Sequence, residues 1–159
     1  MGDYRATVRW HVREGEVFAS NRYSRAHEWH FDGGAVVPGS AAPGYLPAAL
    51  IDESAVDPEE ALLAAAASCH MLYFLAYAAK AGFTIESYVD ETVGTVAKNE
   101  AGDPWVATVV LRPDARFVGD KLPTRAEIDD LHHRAHKSCI IANSLKSAMT
   151  IEPVYGEAA

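Results

Sequence analysis

Apolar and polar residues alternate loosely along residues 4–12, Tyr-Arg-Ala-Thr-Val-Arg-Trp-His-Val, and the wealth of β-formers predicts an opening strand. Glu14-Gly15-Glu16 reads as a turn. Residues 17–19 and 25–31 predict further strands, the second closed by Asp32-Gly33-Gly34. Residues 35–56 carry Pro38, Pro43 and Pro47 with Gly39 and Gly44 and show no period, so they are expected to form a long loop. Loops of that length in compact domains are often functional.

The pattern then changes. From Ala61 to Ala79 the chain is almost wholly apolar. Asp57 is a good N-cap, Pro58 suits the first helical position, Glu60 at the third closes a capping box, and Gly82 supplies a stop. One helix over 58–81 is predicted, roughly 36 Å long at about 1.5 Å per residue. Apolar on every side, it is expected to be buried on every side. Its length would cross a bilayer. Yet it is rich in alanine, holds Ser68, Cys69 and His70 at its centre and lacks an aromatic belt or basic flank, so a core helix is the expectation and not a membrane span.

Residues 87–97 and 104–112 predict two strands joined through residues 98–103. Thr124 and Glu127 form a second capping box after Pro123 and open a helix over 125–137, with Ile128, Leu131 and Ala135 as its apolar stripe. A short helix over 141–147 and a strand over 149–154 follow. This order predicts an α+β fold in one domain, residues 1–159. One modest sheet covers one side of the long helix, so a second copy of the chain is expected to cover the other, giving a homodimer.

Charge narrows the function. The chain has 159 residues and a net charge of −8, which argues against nucleic-acid binding, a task for clustered Lys and Arg. Its opening lacks a basic segment followed by an apolar run, so a cytoplasmic location is expected. No phosphate-cradling glycine loop, H-E-x-x-H, G-x-S-x-G or C-x-x-C occurs.

Only Cys69 and Cys139 are present, too few for a secreted disulfide framework. Each is either a small core hydrophobe or half of a redox pair, and spacing alone does not choose. Cys69 lies too far from its helix start for the macrodipole to activate it. A reactive thiolate there needs a cation, for which Arg22, Arg25, His70 and His136 are available. Cys139 follows the second helix at a joint that lets a sulfur move. Cys69, His70, His136 and Cys139 also offer a tetrahedral zinc set, although neighbours on a helix diverge by about 100°, which sets Cys69 and His70 apart. Glu59 and Glu60 suit the helix dipole, and Glu59 is free to pair with an arginine. His27 and His30 are expected to share a strand face, with Trp29 near Arg25.

Three segments together resemble one family, the OsmC/Ohr proteins (osmotically inducible and organic-hydroperoxide-resistance proteins). They are Tyr23-Ser24-Arg25-Ala26-His27 through Asp32-Gly33-Gly34, Asp57 to Ala66 through Ser68-Cys69, and Ala135-His136-Lys137-Ser138-Cys139 followed by Ala142-Asn143. The resemblance implies an α+β intertwined dimer, with antiparallel sheets wrapped around two long central helices and sites at the dimer interface. It implies a thiol peroxidase without a cofactor. Cys69 would be the peroxidatic cysteine and Cys139 the resolving one. Arg25 would hold the thiolate, and Glu59 would orient that arginine. Organic hydroperoxides would be the substrates and dithiols, such as dihydrolipoyl proteins, the reductants. Glu59 and Cys69 lie about 15 Å apart along one helix, so a shared site takes Glu59 from the partner chain. The chain departs from the better-known members at Ile140-Ile141-Ala142, where those have Pro-Tyr-Ser, and at His70, while Arg22 competes with Arg25. Two alternatives stand beside this reading: an OsmC-like protein that binds a small apolar or electrophilic molecule, and a hot-dog-like thioesterase working through carboxylates.

Overall fold

The computed structural model describes residues 2–155, so Met1 and residues 156–159 of the expected domain lie outside the described residues. Its contacts divide the chain into two compact units, with the boundary between Ala61 and Leu62.

The first unit holds an antiparallel sheet of β1 (Ala6–Arg9), β2 (His27–Phe31) and β3 (Val36–Gly39), in that order. Trp29 stands opposite Val8 on one side and Val37 on the other. The turn at Asp32-Gly33-Gly34 forms as expected, with Gly34 at φ 88° and its amide donating to Phe31 O at 3.0 Å. The expected loop over 35–56 is corrected by β3. Val36 and Val37 are β-branched and fit a pleated surface. Pro38, lacking an N–H, is tolerated because β3 lies at the sheet edge. The Pro38 carbonyl accepts from the Val56 amide at 3.1 Å. Residues 18–20 form a 3₁₀ turn rather than a strand, ended by Asn21 in the left-handed region. β1 is shorter than the alternation implies. His27 and His30 do not share a face, because positions three apart on a strand point to opposite sides. His27 bonds the Arg25 carbonyl at 2.8 Å, whereas His30 bonds Glu28 at 2.9 Å.

The long helix α1 (Pro58–Lys80) starts and stops where its signals lie. Asp57 Oδ1 accepts from the Glu60 amide at 2.7 Å, and Glu60 Oε2 accepts from the Asp57 amide at 3.3 Å. At the other end Phe83 N–H reaches Ala78 O and Gly82 N–H reaches Ala79 O, both at 3.0 Å, with Gly82 at φ 80°. This is a Schellman stop, and its left-handed position favours glycine.

The second unit adds β4 (Thr84–Asp90), β5 (Val93–Lys98), β6 (Pro104–Leu111), β7 (Pro113–Val118), α2 (Arg125–Ser138), α3 (Ile140–Ser144) and β8 (Ala148–Ile151). β4 pairs with β7, while β6 lies between β5 and β8. β6 and β8 run parallel, so the sheets are not wholly antiparallel. The chain leaves one sheet for the other at Arg112, which is why β7, beyond the break at Pro113, escapes a reading by alternation.

Within the chain α1 is buried on one stripe only: Ala66, His70, Phe74 and Ala78. Ala64, Ala65, Ser68, Leu72, Ala76 and Ala79 are exposed. Burial on every side is therefore corrected for the single chain, since only one flank of α1 meets its own strands and helices. Phe74, Ala78, Phe83, Leu131 and Ala135 form one core cluster, and Ala66, Val109 and Leu111 form another. Phe74 is 0 % exposed, so Phe74→Ala is expected to cost about 3–5 kcal/mol in chemical denaturation. A loss below about 1 kcal/mol would mean the cluster is loosely packed.

Candidate active site

The thiols lie where α1 meets the end of α2. Cys69 projects from the middle of α1 and is half-buried, while Cys139 is 0 % exposed. Cys139 is both the C-cap of α2 and the N-cap of α3. Its amide donates to His136 O at 3.2 Å, its carbonyl accepts from Asn143 N at 3.0 Å, and its Sγ accepts from Ala142 N at 3.3 Å. The joint expected to be mobile is thus tied on both sides. The two cysteines are free thiols, with the Cys69 side chain beside that of Cys139. Burial, and then the neighbouring Cys69 thiol, push Cys139 up to about 11, and the Ala142 amide only partly opposes this. Cys139 is therefore a protonated thiol at neutral pH.

Two imidazoles occupy the same layer. His70 follows Cys69 on α1 and is 0 % exposed, and His132 on α2 is 4 % exposed. His70 Nε2 and His132 Nδ1 share a hydrogen bond of 3.0 Å, and the rings lie within 6° of parallel. The Phe74 ring stacks on His132 at 4.1 Å. Burial lowers His70 to about 4, helped by His132 and His136. Burial likewise lowers His132 to about 4, against the pull of Asp129. Both are neutral near pH 7, so one nitrogen of the pair donates and the other accepts. A third link between the helices joins Tyr77 Oη and Ser138 Oγ at 2.7 Å.

Sequence reasoning missed His132, Tyr77 and Ser138. The signal for His132 was its place beside Leu131 and four residues before His136, on the face of α2 that ends in Cys139. The zinc set finds no support in the geometry: among the described residues no three His, Cys, Asp or Glu side chains converge as metal ligands.

Arg25 and Glu59 belong to the first unit. Arg25 is half-buried and Arg22 exposed. The Arg25 guanidinium donates to the Tyr23 carbonyl and, at 2.7 Å, to Asn21 Oδ1, and it lies 3.7 Å over the Tyr23 ring. It lines an apolar cavity of ≈ 400 Å³ with Trp10, Phe18 and Tyr23 among its walls. Glu59 is half-buried. Neither Arg25 nor Glu59 forms an ion pair among the described residues.

The family model described as OsmC-like protein matches residues 51–154. The chain belongs to the OsmC-like family. A solved OsmC-like protein of unknown function from Vibrio cholerae is 45% identical to it, with a TM-score of 0.95, 97% of this chain covered and 100% of the other. The organic hydroperoxide resistance protein OhrB of Bacillus subtilis shares the fold at 18% identity and TM-score 0.68, over 96% of this chain and 98% of its own. An organic hydroperoxide resistance protein from Elizabethkingia anophelis does so at 16% and 0.68, over 96% and 94%. Comparison with curated protein sequences found no match. The long central helix and mainly antiparallel sheets are thus those of the OsmC fold, and this member carries a buried histidine pair beside its two cysteines.

The pair makes stability depend on pH. An imidazole held near 4 in the folded OsmC-like chain, against an ordinary 6.5, stabilises fully above 6.5. That stability is lost as pH falls from 6.5 towards 4. Between pH 7 and 5, urea unfolding is expected to lose about 2 kcal/mol for each imidazole, at about 1.4 kcal/mol per pH unit. His132→Gln should flatten the profile, and a wild-type profile already flat over that range would show that the imidazoles are not buried and neutral.

Proposed function

We propose that this OsmC-like protein is a thiol peroxidase that reduces organic hydroperoxides, with Cys69 as the nucleophile and Cys139 as the resolving thiol. One observation carries the reading: two free thiols lie side by side, one half-buried and the other fully buried and held protonated. The names of the organic hydroperoxide resistance proteins that share the fold support the substrate class.

The chemistry balances with the chain's own groups. The Cys69 thiolate attacks the peroxide O–O bond, taking one oxygen as a sulfenic acid and releasing an alkoxide, which becomes the alcohol on gaining a proton. The Cys139 thiol then attacks the Cys69 sulfenic sulfur. The S–O bond breaks, the S–S bond forms, and the hydroxyl leaves with the Cys139 proton as water. This disulfide protects Cys69 from irreversible oxidation. An external dithiol, for which dihydrolipoyl proteins suit the chemistry, reduces it again. Arg25 is the half-buried cation with only neutral partners among the described residues, which suits it to hold the thiolate better than the exposed Arg22. In this reading Glu59 of a second copy orients Arg25. The exposed stripe of α1 through Leu72, 63 % exposed, is the face that copy covers. A cytoplasmic setting keeps the dithiol reduced between turnovers.

Dithiothreitol-coupled turnover of cumene hydroperoxide and hydrogen peroxide tests the roles. Cys69→Ser is expected to abolish turnover. Cys139→Ser should accumulate sulfinic acid by intact mass, and Arg25→Met should slow the first step by about tenfold or more, through the loss of the cation that favours a thiolate. Undiminished turnover in Cys69→Ser would overturn the reading. So would a wild type inert to both peroxides, and binding of a small molecule in the cavity lined by Arg25 would then be the function to test.

A further inference from the structure

The dithiol is one of three polar contacts between the same two helices. Cys69 lies beside Cys139, His70 bonds His132, and Tyr77 bonds Ser138. The contacts are linked in sequence as well as in space. His70 adjoins Cys69, and Ser138 adjoins Cys139. Tyr77 stands two turns beyond His70 on α1, and His132 two turns before Cys139 on α2. Between them Phe74 and Ala78 pack with Leu131 and Ala135, a contact whose driving force is non-directional and so sets less sharply how far one helix slides along the other. Two directional bonds of 3.0 and 2.7 Å do fix it. Disulfide formation needs that fix, because the S–S bond tolerates only a narrow range of separation and dihedral angle.

We infer that His70, His132, Tyr77 and Ser138 are positioning residues for the disulfide step: their two hydrogen bonds hold the end of α2 in the register that sets the Cys139 sulfur against Cys69. The role assigned to the disulfide in turnover rests on the peroxidase reading, whereas the register itself does not. The groups around these bonds fit a role in alignment rather than in proton transfer. The imidazole pair is packed under Phe74, with His136 and Asp129 as the titratable neighbours that influence it. The Tyr77 ring carries the Arg134 guanidinium at 4.5 Å on its face, which leaves its hydroxyl directed to Ser138.

The test is equilibration of the whole protein in glutathione and glutathione disulfide, with the Cys69–Cys139 disulfide quantified by mass. This reports the effective concentration of one thiol at the other, whatever the protein does with peroxide. Tyr77→Phe and Ser138→Ala remove the same bond, so each is expected to lower that concentration about threefold to tenfold, the scale of one net hydrogen bond, and the double variant no further. His132→Phe, which keeps a flat ring in the stack, should lower it by at least as much. In rapid mixing with cumene hydroperoxide, sulfenic acid formation on Cys69 should keep its wild-type rate while disulfide formation slows by the same factor. Urea unfolding at pH 7 shows that the variants remain native under the assay conditions. A disulfide equilibrium unchanged in Tyr77→Phe and Ser138→Ala overturns the inference, as does a double variant whose loss is the product of the singles. A wild type that forms the disulfide with glutathione yet ignores peroxides counts against the peroxidase reading alone.

Discussion

A long helix that is apolar all round must be covered, and its own chain covers only part of α1. Strands and α2 take the stripe through Ala66, His70, Phe74 and Ala78, and the opposite stripe through Leu72 is left exposed. This constraint sets out the second unit. The chain departs from α1 through the Gly82 stop, runs through β4 to β7, and returns along α2 so that Leu131 and Ala135 close on Phe74. Because α2 ends against α1, whatever caps it arrives at the middle of the long helix. That cap is Cys139, and the middle of the helix is Cys69. The meeting of two cysteines far apart in sequence is thus a consequence of how the helix is covered.

The same coverage makes the polar groups of the layer costly to bury and so determines which of them are there. A buried imidazole without a partner loses its hydrogen bonds to water. His70 and His132 meet that cost largely by bonding each other, although His70 Nδ1 and His136 Nδ1 have no partner among the described residues. Tyr77 and Ser138 do the same with hydroxyls. In an apolar seam such bonds add little net stability, but they are directional, and direction is what packing between Phe74, Ala78, Leu131 and Ala135 does not provide.

Local signals carried the fold furthest. Asp57 with Glu60, Thr124 with Glu127, and Gly82 each mark an end that depends on a few neighbouring residues, and the helices begin or stop there. Strands were legible where alternation held, as in β2 and β6. They were not where proline and glycine punctuate a true strand, as in β3, nor where a strand changes sheets, as between β6 and β7. Periodicity also overstated the burial of α1, because it measures how apolar a helix is and not what lies against it. Of the site, the cysteines stood out as the only two in the chain. His132 did not, because a histidine in a polar-looking helix reads as solvated until a partner on another element is known. That partner, His70, is a tertiary fact. Arg25 was legible as a cation in the N-terminal half, but not its bonds to Tyr23 and Asn21, which depend on the 3₁₀ turn that the strand reading overlooked.

Burial also decides which groups of the layer stay uncharged. Around neutral pH the layer between α1 and α2 holds two neutral imidazoles and a protonated Cys139. Each is held in its uncharged form first by desolvation, so the layer as a whole excludes charge. A thiolate on Cys139 would be fully buried, with the amides of Ala142 and Ile141 as the groups that favour it. Cys69 is half-buried, whereas Cys139 is 0 % exposed. The asymmetry between the two sulfurs is one of burial. It follows from where each sulfur stands relative to a single desolvated surface, the one that α1 needs in order to be covered at all.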